Sequence, residues 1–249
     1  MNKHPITLLT AAGLALSAVL PTADAAISLD RTRAVYVSDA KSISLNIVNE
    51  NKELPFLAQS WLENEQHQKI TSPLVVLPPL QRVEPSERSV VRITKTPEAD
   101  RLPQDRESVF YFNLREIPPK SNKPNSLQIA LQTRIKLFYR PAAIAPERNT
   151  APWQEQLTLT KQGDRYIVNN PTPYYVTIID VASRKNASGP QNFEPFMVPP
   201  KGQAALTVNA ASVGSSPVLT YINDYGGRPQ LSFSCNGDSC SVVPEKKTS

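Results

Sequence analysis

Histidine is almost missing from this 249-residue chain: there are two, and His4 stands ahead of an apolar N-terminal run. A Ser-His-Asp triad would have to use the other, His67, and the chain has no Gly-x-Ser-x-Gly elbow. His67 lies in Glu-Asn-Glu-Gln-His-Gln-Lys, a polar hairpin-like stretch that reads as a surface turn. Neither His-Glu-x-x-His nor Gly-x-x-x-x-Gly-Lys-Ser/Thr occurs. Carboxylate pairs can hydrolyse glycosides, but Glu63 with Glu65 and Asp100 with Asp105 fall in loop-like stretches that read as solvated. No motif for catalysis, a metal or a cofactor emerges, so the reading is a binding or assembly protein and not an enzyme.

Cysteine is equally scarce. Its two copies, Cys235 and Cys240, fall in Cys-Asn-Gly-Asp-Ser-Cys. A Cys-x4-Cys pair without other ligands makes a poor zinc site. Asn236-Gly237-Asp238 is a tight-turn signal, and in an exported chain a disulfide across that hairpin is expected. Such a short closed loop contributes only about 2 kcal/mol through chain entropy.

Long apolar runs are confined to the start. Lys3 and His4 precede the run Ile6 to Leu20, then Pro21 and Ala23-Asp24-Ala25. That is the charged, apolar and Ala-x-Ala pattern of a secretory signal peptide, too short for a comfortable membrane span. Cleavage is expected after Ala25. Removing Lys3 and Asp24 together leaves the formal net charge at +5. Export makes nucleic acid an implausible partner for this basic chain, and no membrane insertion is expected.

What the chain does have is proline, 24 copies against eight glycines. This argues against a helical protein. Strand-like segments recur at Ala26–Val37, Ser42–Asn49, Phe56–Glu63, Leu74–Val76, Ser89–Thr94, Val109–Glu116 and Leu127–Tyr139, the density of an immunoglobulin-like sandwich. Residues 140–147, with prolines at both ends, break the pattern. A second set follows at Leu157–Lys161, Arg165–Asn169, Tyr174–Val181, Gln203–Val208, Val218–Asn223 and Leu231–Ser234. The expected organisation is a signal peptide (1–25), a first immunoglobulin-like domain (26–141), a linker (142–147), a second such domain (148–244) and a polar tail (245–249).

Within Asn125 to Pro141, Leu127, Ile129 and Leu131 alternate with Gln128, Ala130 and Gln132, and Arg134, Lys136 and Arg140 follow. From the pattern alone this is a half-buried strand of the protein's own core.

Five stretches together carry a resemblance: Ala-Ile-Ser-Leu-Asp-Arg-Thr-Arg-Ala-Val (26–35), Leu-Pro-Gln-Asp-Arg-Glu-Ser-Val-Phe-Tyr-Phe-Asn-Leu-Arg-Glu-Ile-Pro-Pro (102–119), residues 125–141, Asn-Pro-Thr-Pro-Tyr-Tyr-Val-Thr (170–177) and Tyr-Ile-Asn-Asp-Tyr-Gly-Gly (221–227). The chain resembles the PapD family of periplasmic pilus (fimbrial) chaperones over nearly its whole length. The resemblance implies an all-β protein with two immunoglobulin-like β-sandwich domains at an angle and an interdomain cleft. It implies residence in the periplasm of a Gram-negative bacterium, with pilus subunits and an outer-membrane usher as partners. Subunits would be completed by a donated strand, main-chain bonds zipping an edge and alternate apolar side chains filling a groove. Leu127, Ile129 and Leu131 match the groove-filling positions, and Arg33 and Lys136 the pair that anchors the C-terminal carboxylate of the pilin. Strict alternation puts Lys136 on the face opposite the three apolar residues. Either a bulge intervenes near Thr133-Arg134, or the cleft is reached from the other face.

The resemblance further implies an interdomain charge network of Glu107, Arg140 and Asp224, and an usher-facing patch of Leu57, Gln59, Pro79 and Arg92. Leu77-Pro78-Pro79 matches a turn that can hold a cis peptide. Self-capping of the free chaperone as a homodimer through the apolar strand is also expected. Two rival classes are a pilus structural or adhesive subunit, which would be a single domain that polymerises, and a carboxylate-dependent hydrolase, for which no cleft pair stands out.

Overall fold

The computed structural model describes residues 25–122, 124–147 and 150–244. Of the expected signal peptide only Ala25 is among these residues, and the expected polar tail lies outside them. The first module carries β1 (Ile27–Leu29), β2 (Arg33–Val37), β3 (Ser42–Asn49), β4 (Phe56–Glu63), β5 (Lys69–Ile70), β6 (Leu74–Leu77), β7 (Leu80–Val83), β8 (Arg88–Lys95), β9 (Ser108–Ile117) and β10 (Gln132–Arg140). They form a sheet ordered β1-β3-β8-β6 and another ordered β2-β10-β9-β4-β5, with β7 also on β4.

The side chains explain why two sheets pack. In β4, Phe56, Ala58, Ser60 and Leu62 are buried, while Leu57, Gln59, Trp61 and Glu63 face outward. In β3, Leu45, Ile47 and Asn49 are buried between exposed or half-buried neighbours. Such period-two faces from both sheets meet in one core that includes Tyr36, Leu45, Ile93, Phe112 and Leu137. Full burial of each large side chain stabilises by about 1.5–3 kcal/mol. β9, between β10 and β4, is buried at nearly every position from Val109 to Leu114, as its apolar run predicts.

The stretch expected as one strand, Ala26–Val37, is two. β1 pairs antiparallel with β3, and β2 pairs parallel with β10 in the other sheet. The crossing is polar: Asp30 takes the Asn46 side-chain amide at 2.7 Å and is paired with Arg31. The sequence pattern does not reveal four strands: β5, β7, Phe196–Val198 and Ser239–Val242. Each has two to four residues, too few to display alternation.

The second module has a separate core that includes Leu159, Val168, Ile178, Leu219 and Phe233. Gln230–Asn236 bends across it, pairing first with Val218–Ile222 and then with Ser239–Val242. That last hairpin sets Cys235 opposite Cys240, and the two form the expected disulfide. Gly237 takes the first loop position at φ +60°, a conformation glycine adopts without steric cost. The turn Leu77-Pro78-Pro79 contains a cis bond at Leu77–Pro78, and Ser72–Pro73 is also cis.

Candidate functional site: a basic pair beside an exposed strand segment

The sequence pattern starts β10 at Leu127. Its ladder with β9 instead runs from Gln132 opposite Arg115 to Tyr139 opposite Ser108, without a bulge. One further bond, Glu116 N–H to the Leu131 carbonyl at 3.0 Å, extends it. Continuing the register would set Ile129 against Pro118, which has no N–H to donate. Apart from that bond the segment Leu127–Leu131 therefore runs on without a ladder. Its apolar side chains are 87%, 62% and 37% exposed at Leu127, Ile129 and Leu131. They do not belong to the protein's own core, contrary to the reading from pattern alone.

The unbroken register also resolves the parity of Lys136. Ile135, Leu137 and Tyr139 face the first core. Lys136, Phe138 and Arg140 face the other way, where Phe138 packs on Tyr175 and Arg140 binds Asp224, both from the second module. The cleft is reached from the face opposite Leu127, Ile129 and Leu131, and no bulge is needed.

Lys136 stands directly across from Arg33 in the parallel ladder of β2 and β10. Two cations are thus held side by side. Burial, followed by the neighbouring charges of Arg33 and Arg134, holds the Lys136 ammonium below its ordinary value. Burial likewise pushes the Arg33 guanidinium down, and the charges of Asp224 and Glu107 oppose that. Arg33 Nη1 donates to the Ile222 carbonyl at 3.0 Å, and its Nε is buried without a hydrogen-bond partner among the described residues. Neither side chain forms an ion pair among the described residues. Half-buried positive charge without a carboxylate is a ready site for an anion, to which Arg offers a fork and Lys a point charge. A pocket of about 230 Å³, lined by Asp30, Arg31, Thr32, Arg33, Asp224 and Tyr225, opens beside it.

Glu107, Arg140 and Asp224 come together in the structure. Arg140 Nε donates to Glu107 Oε1 at 2.8 Å, and its two terminal nitrogens reach the Asp224 carboxylate at 2.8 and 3.2 Å. Sequence reading missed what surrounds them. Glu107 Oε2 accepts from the Tyr175 N–H at 2.8 Å, and the guanidinium lies over the rings of Trp153 and Tyr174. Burial pushes the Glu107 carboxyl up, against the pull of Arg140.

His67 occupies a turn, as the sequence implies, but is engaged: Arg134 Nη2 donates to its Nδ1 at 2.6 Å and its ring stacks on Tyr111. Glu63 is not free in solvent: it accepts from Trp61 at 2.8 Å and Arg134 at 3.1 Å, which hold its carboxyl low although burial opposes this. Leu57, Gln59, Pro79 and Arg92 lie along one edge of the module. Arg92 pairs with Leu77, the chain turns through Pro78 and Pro79, and Leu80 pairs with Gln59. Exposed Leu77, Leu80 and Val90, which the sequence reading did not assign to this patch, extend this band, and Leu-Pro-Pro-Leu was its available signal.

Residues 26–145 match the family model "Pili and flagellar-assembly chaperone, PapD N-terminal domain", and residues 152–233 match "Pili assembly chaperone PapD, C-terminal domain". The chain is 56% identical to the chaperone protein PapD of Escherichia coli over 229 residues, 92% of this chain and 94% of that one. It is 52% identical to the chaperone protein PmfD of Proteus mirabilis, over 96% and 94% of the two chains. Among solved structures, the periplasmic chaperone SfaE superposes with a TM-score of 0.66 at 31% identity, over 83% of this chain and 98% of that one. The Salmonella enterica SafB chaperone in complex with the SafA pilin gives a TM-score of 0.70 at 26% identity, over 86% and 98%.

Proposed function

Because this chain belongs to the PapD family of pilus-assembly chaperones, we propose that it binds, folds and caps pilus subunits by lending them residues 127–131 as a strand. The observation that carries this reading is the exposed segment Leu127–Leu131, which leads directly into the strand that sets Lys136 beside Arg33. A subunit lacking its last strand presents an open edge and an apolar groove, both aggregation hazards. The donated backbone hydrogen-bonds that edge, and Leu127, Ile129 and Leu131 enter the groove. Arg33 and Lys136 bind the terminal carboxylate of the pilin. This fixes register, because a slip of one residue would face every apolar side chain the wrong way.

In the same reading the capped pilin passes to an outer-membrane usher, met through Leu57, Gln59, Pro79 and Arg92 with the adjoining leucines. The free protein caps its own segment as a homodimer. Residues 1–25 direct export to the periplasm and are removed, and the two modules comprise residues 26–141 and 148–244. Two separate cores weigh against a single-domain structural pilin.

The test is co-expression with a pilin followed by pull-down. Arg33→Ala and Lys136→Ala are each expected to lose the pilin while remaining folded by circular dichroism. Normal co-purification from both variants would rule out the carboxylate anchor.

A further inference from the structure

A carboxylate is buried at the base of the exposed segment with no cation beside it. Glu116, in β9, is 5% exposed. Its Oε2 accepts from the Ile27 N–H at 2.9 Å, and its Oε1 accepts from the Leu131 N–H at 3.4 Å. Its own N–H donates to the Leu131 carbonyl at 3.0 Å. One residue thereby ties the start of β1 to the last anchored residue of the segment 127–131. No Lys, Arg or His pairs with it among the described residues. A charge held this deep is unfavourable unless it is compensated.

We propose that the missing counter-charge is the α-ammonium of Ala26, created when the signal peptide is removed, so that processing locks the base of the donated segment through Glu116. The inference rests on cleavage after Ala25 and on the donated-strand reading above. Hydrolysis adds water across the Ala25–Ala26 bond, leaving a carboxylate on Ala25 and an amine on Ala26 that is protonated below about pH 7.7–8.0. Successive backbone nitrogens are at most about 3.7 Å apart, which puts the Ala26 nitrogen within about 6.6 Å of Oε2 before any side-chain adjustment. The Ala26 carbonyl is already fixed by the Glu50 N–H at 2.7 Å, so the new terminus is held at this corner. Glu50 is the other charged group tied to it, and its carboxylate accepts from the Ser28 hydroxyl at 2.7 Å. Before cleavage the same nitrogen is a neutral amide and offers no charge. Glu116 is thus a positioning residue: it acts on pilins only through Leu131.

Three forms decide the matter: the mature protein, Glu116→Gln, and the mature protein with one glycine added before Ala26. The last changes no side chain, so it holds if Glu116→Gln fails to fold. NMR titration of alanine-labelled protein reads the α-amino pKa through the Ala26 signals, whether the amine is on Ala26 or on the added glycine, and hydrogen exchange reads the Leu131 amide. The mature α-amino group is expected about one unit above its free value, the effect of an opposite charge within reach, and both altered forms are expected to return to that value. Leu131 exchange is expected to rise about tenfold in both. Equal α-amino pKa values in the mature and Glu116→Gln proteins, or a mass showing a terminus other than Ala26, would overturn the proposal. Binding of a peptide that carries the last residues of a pilin, by the mature protein but not by Arg33→Ala, is read alongside. It upholds the donated-strand reading whatever the titration shows.

Discussion

Lys136 shows how one side chain is placed against the interest of its own fold. It is half-buried beside another cation, with no ion-pair partner among the described residues, and burial and its neighbours depress its pKa. Replacing such a charge with an apolar residue of similar length relieves that cost. Lys136→Met is expected to stabilise the free protein by about 0.5–1 kcal/mol, a modest figure because the group is partly solvated, while abolishing pilin binding. Urea unfolding and pull-down measure the two effects, and a variant that loses stability as well as binding would contradict the argument. The sign of the pH dependence follows. The folded-state pKa lies below the ordinary lysine value of 10.5, so across that window the folded protein binds fewer protons than the unfolded chain. The stability of the free protein rises with pH there. Carboxylate binding needs the ammonium and should weaken over the same window, and Lys136→Met should show neither slope. Arg33 and Lys136 were legible only through the resemblance. Taken alone they are two of 27 basic residues, and nothing in their spacing reveals that a parallel ladder sets them side by side.

The element scale explains why residues 127–131 read as a core strand and are not one. Alternation of apolar residues records that a face will be buried, but not by which chain. The neighbouring proline, through its missing N–H, was the local clue that the ladder would stop, and the sequence displays both Pro118 and Pro119. Element types were legible where strands are long, as in β3, β4 and β9. They were not where strands are as short as β5 or where one run crosses between sheets, as at Asp30. For the segment itself, amide exchange at residues 127–130 should be fast in the free protein and slow by roughly two orders of magnitude or more once a pilin is bound. Fast exchange in the bound state would mean that no main-chain zipper forms. Because Ile129 is 62% exposed, Ile129→Glu should leave unfolding within about 0.5 kcal/mol of wild type. The same change should weaken pilin binding at least tenfold, since it places an unpaired charge in the groove.

At the scale of the whole molecule, the two modules have separate cores, so their coupling rests on the seam between them. Two kinds of ion pair cross that seam, and burial decides which matters. Lys201 meets Asp105 at 2.7 Å, with both side chains well exposed, and solvent and salt screen a pair of that sort. Arg140 and Glu107 are 4% and 1% exposed, and Asp224 joins them from the second module. A buried network of this type adds little net stability when whole, but removing one member leaves uncompensated charge and costs about 3–5 kcal/mol. The residue identities were readable from the resemblance. The seam's aromatic cover by Trp153 and Tyr174 was not, because it brings residues distant in sequence onto Arg140. Arg140→Met strands both carboxylates, and the guanidinium's ring contacts go with it. Wild-type protein should unfold in one calorimetric transition, and Arg140→Met in two, the modules melting separately. Lys201→Ala should leave the single transition unshifted. If Arg140→Met still unfolds in one unshifted transition, the apolar contact of Phe138 on Tyr175, rather than the charge network, holds the modules together.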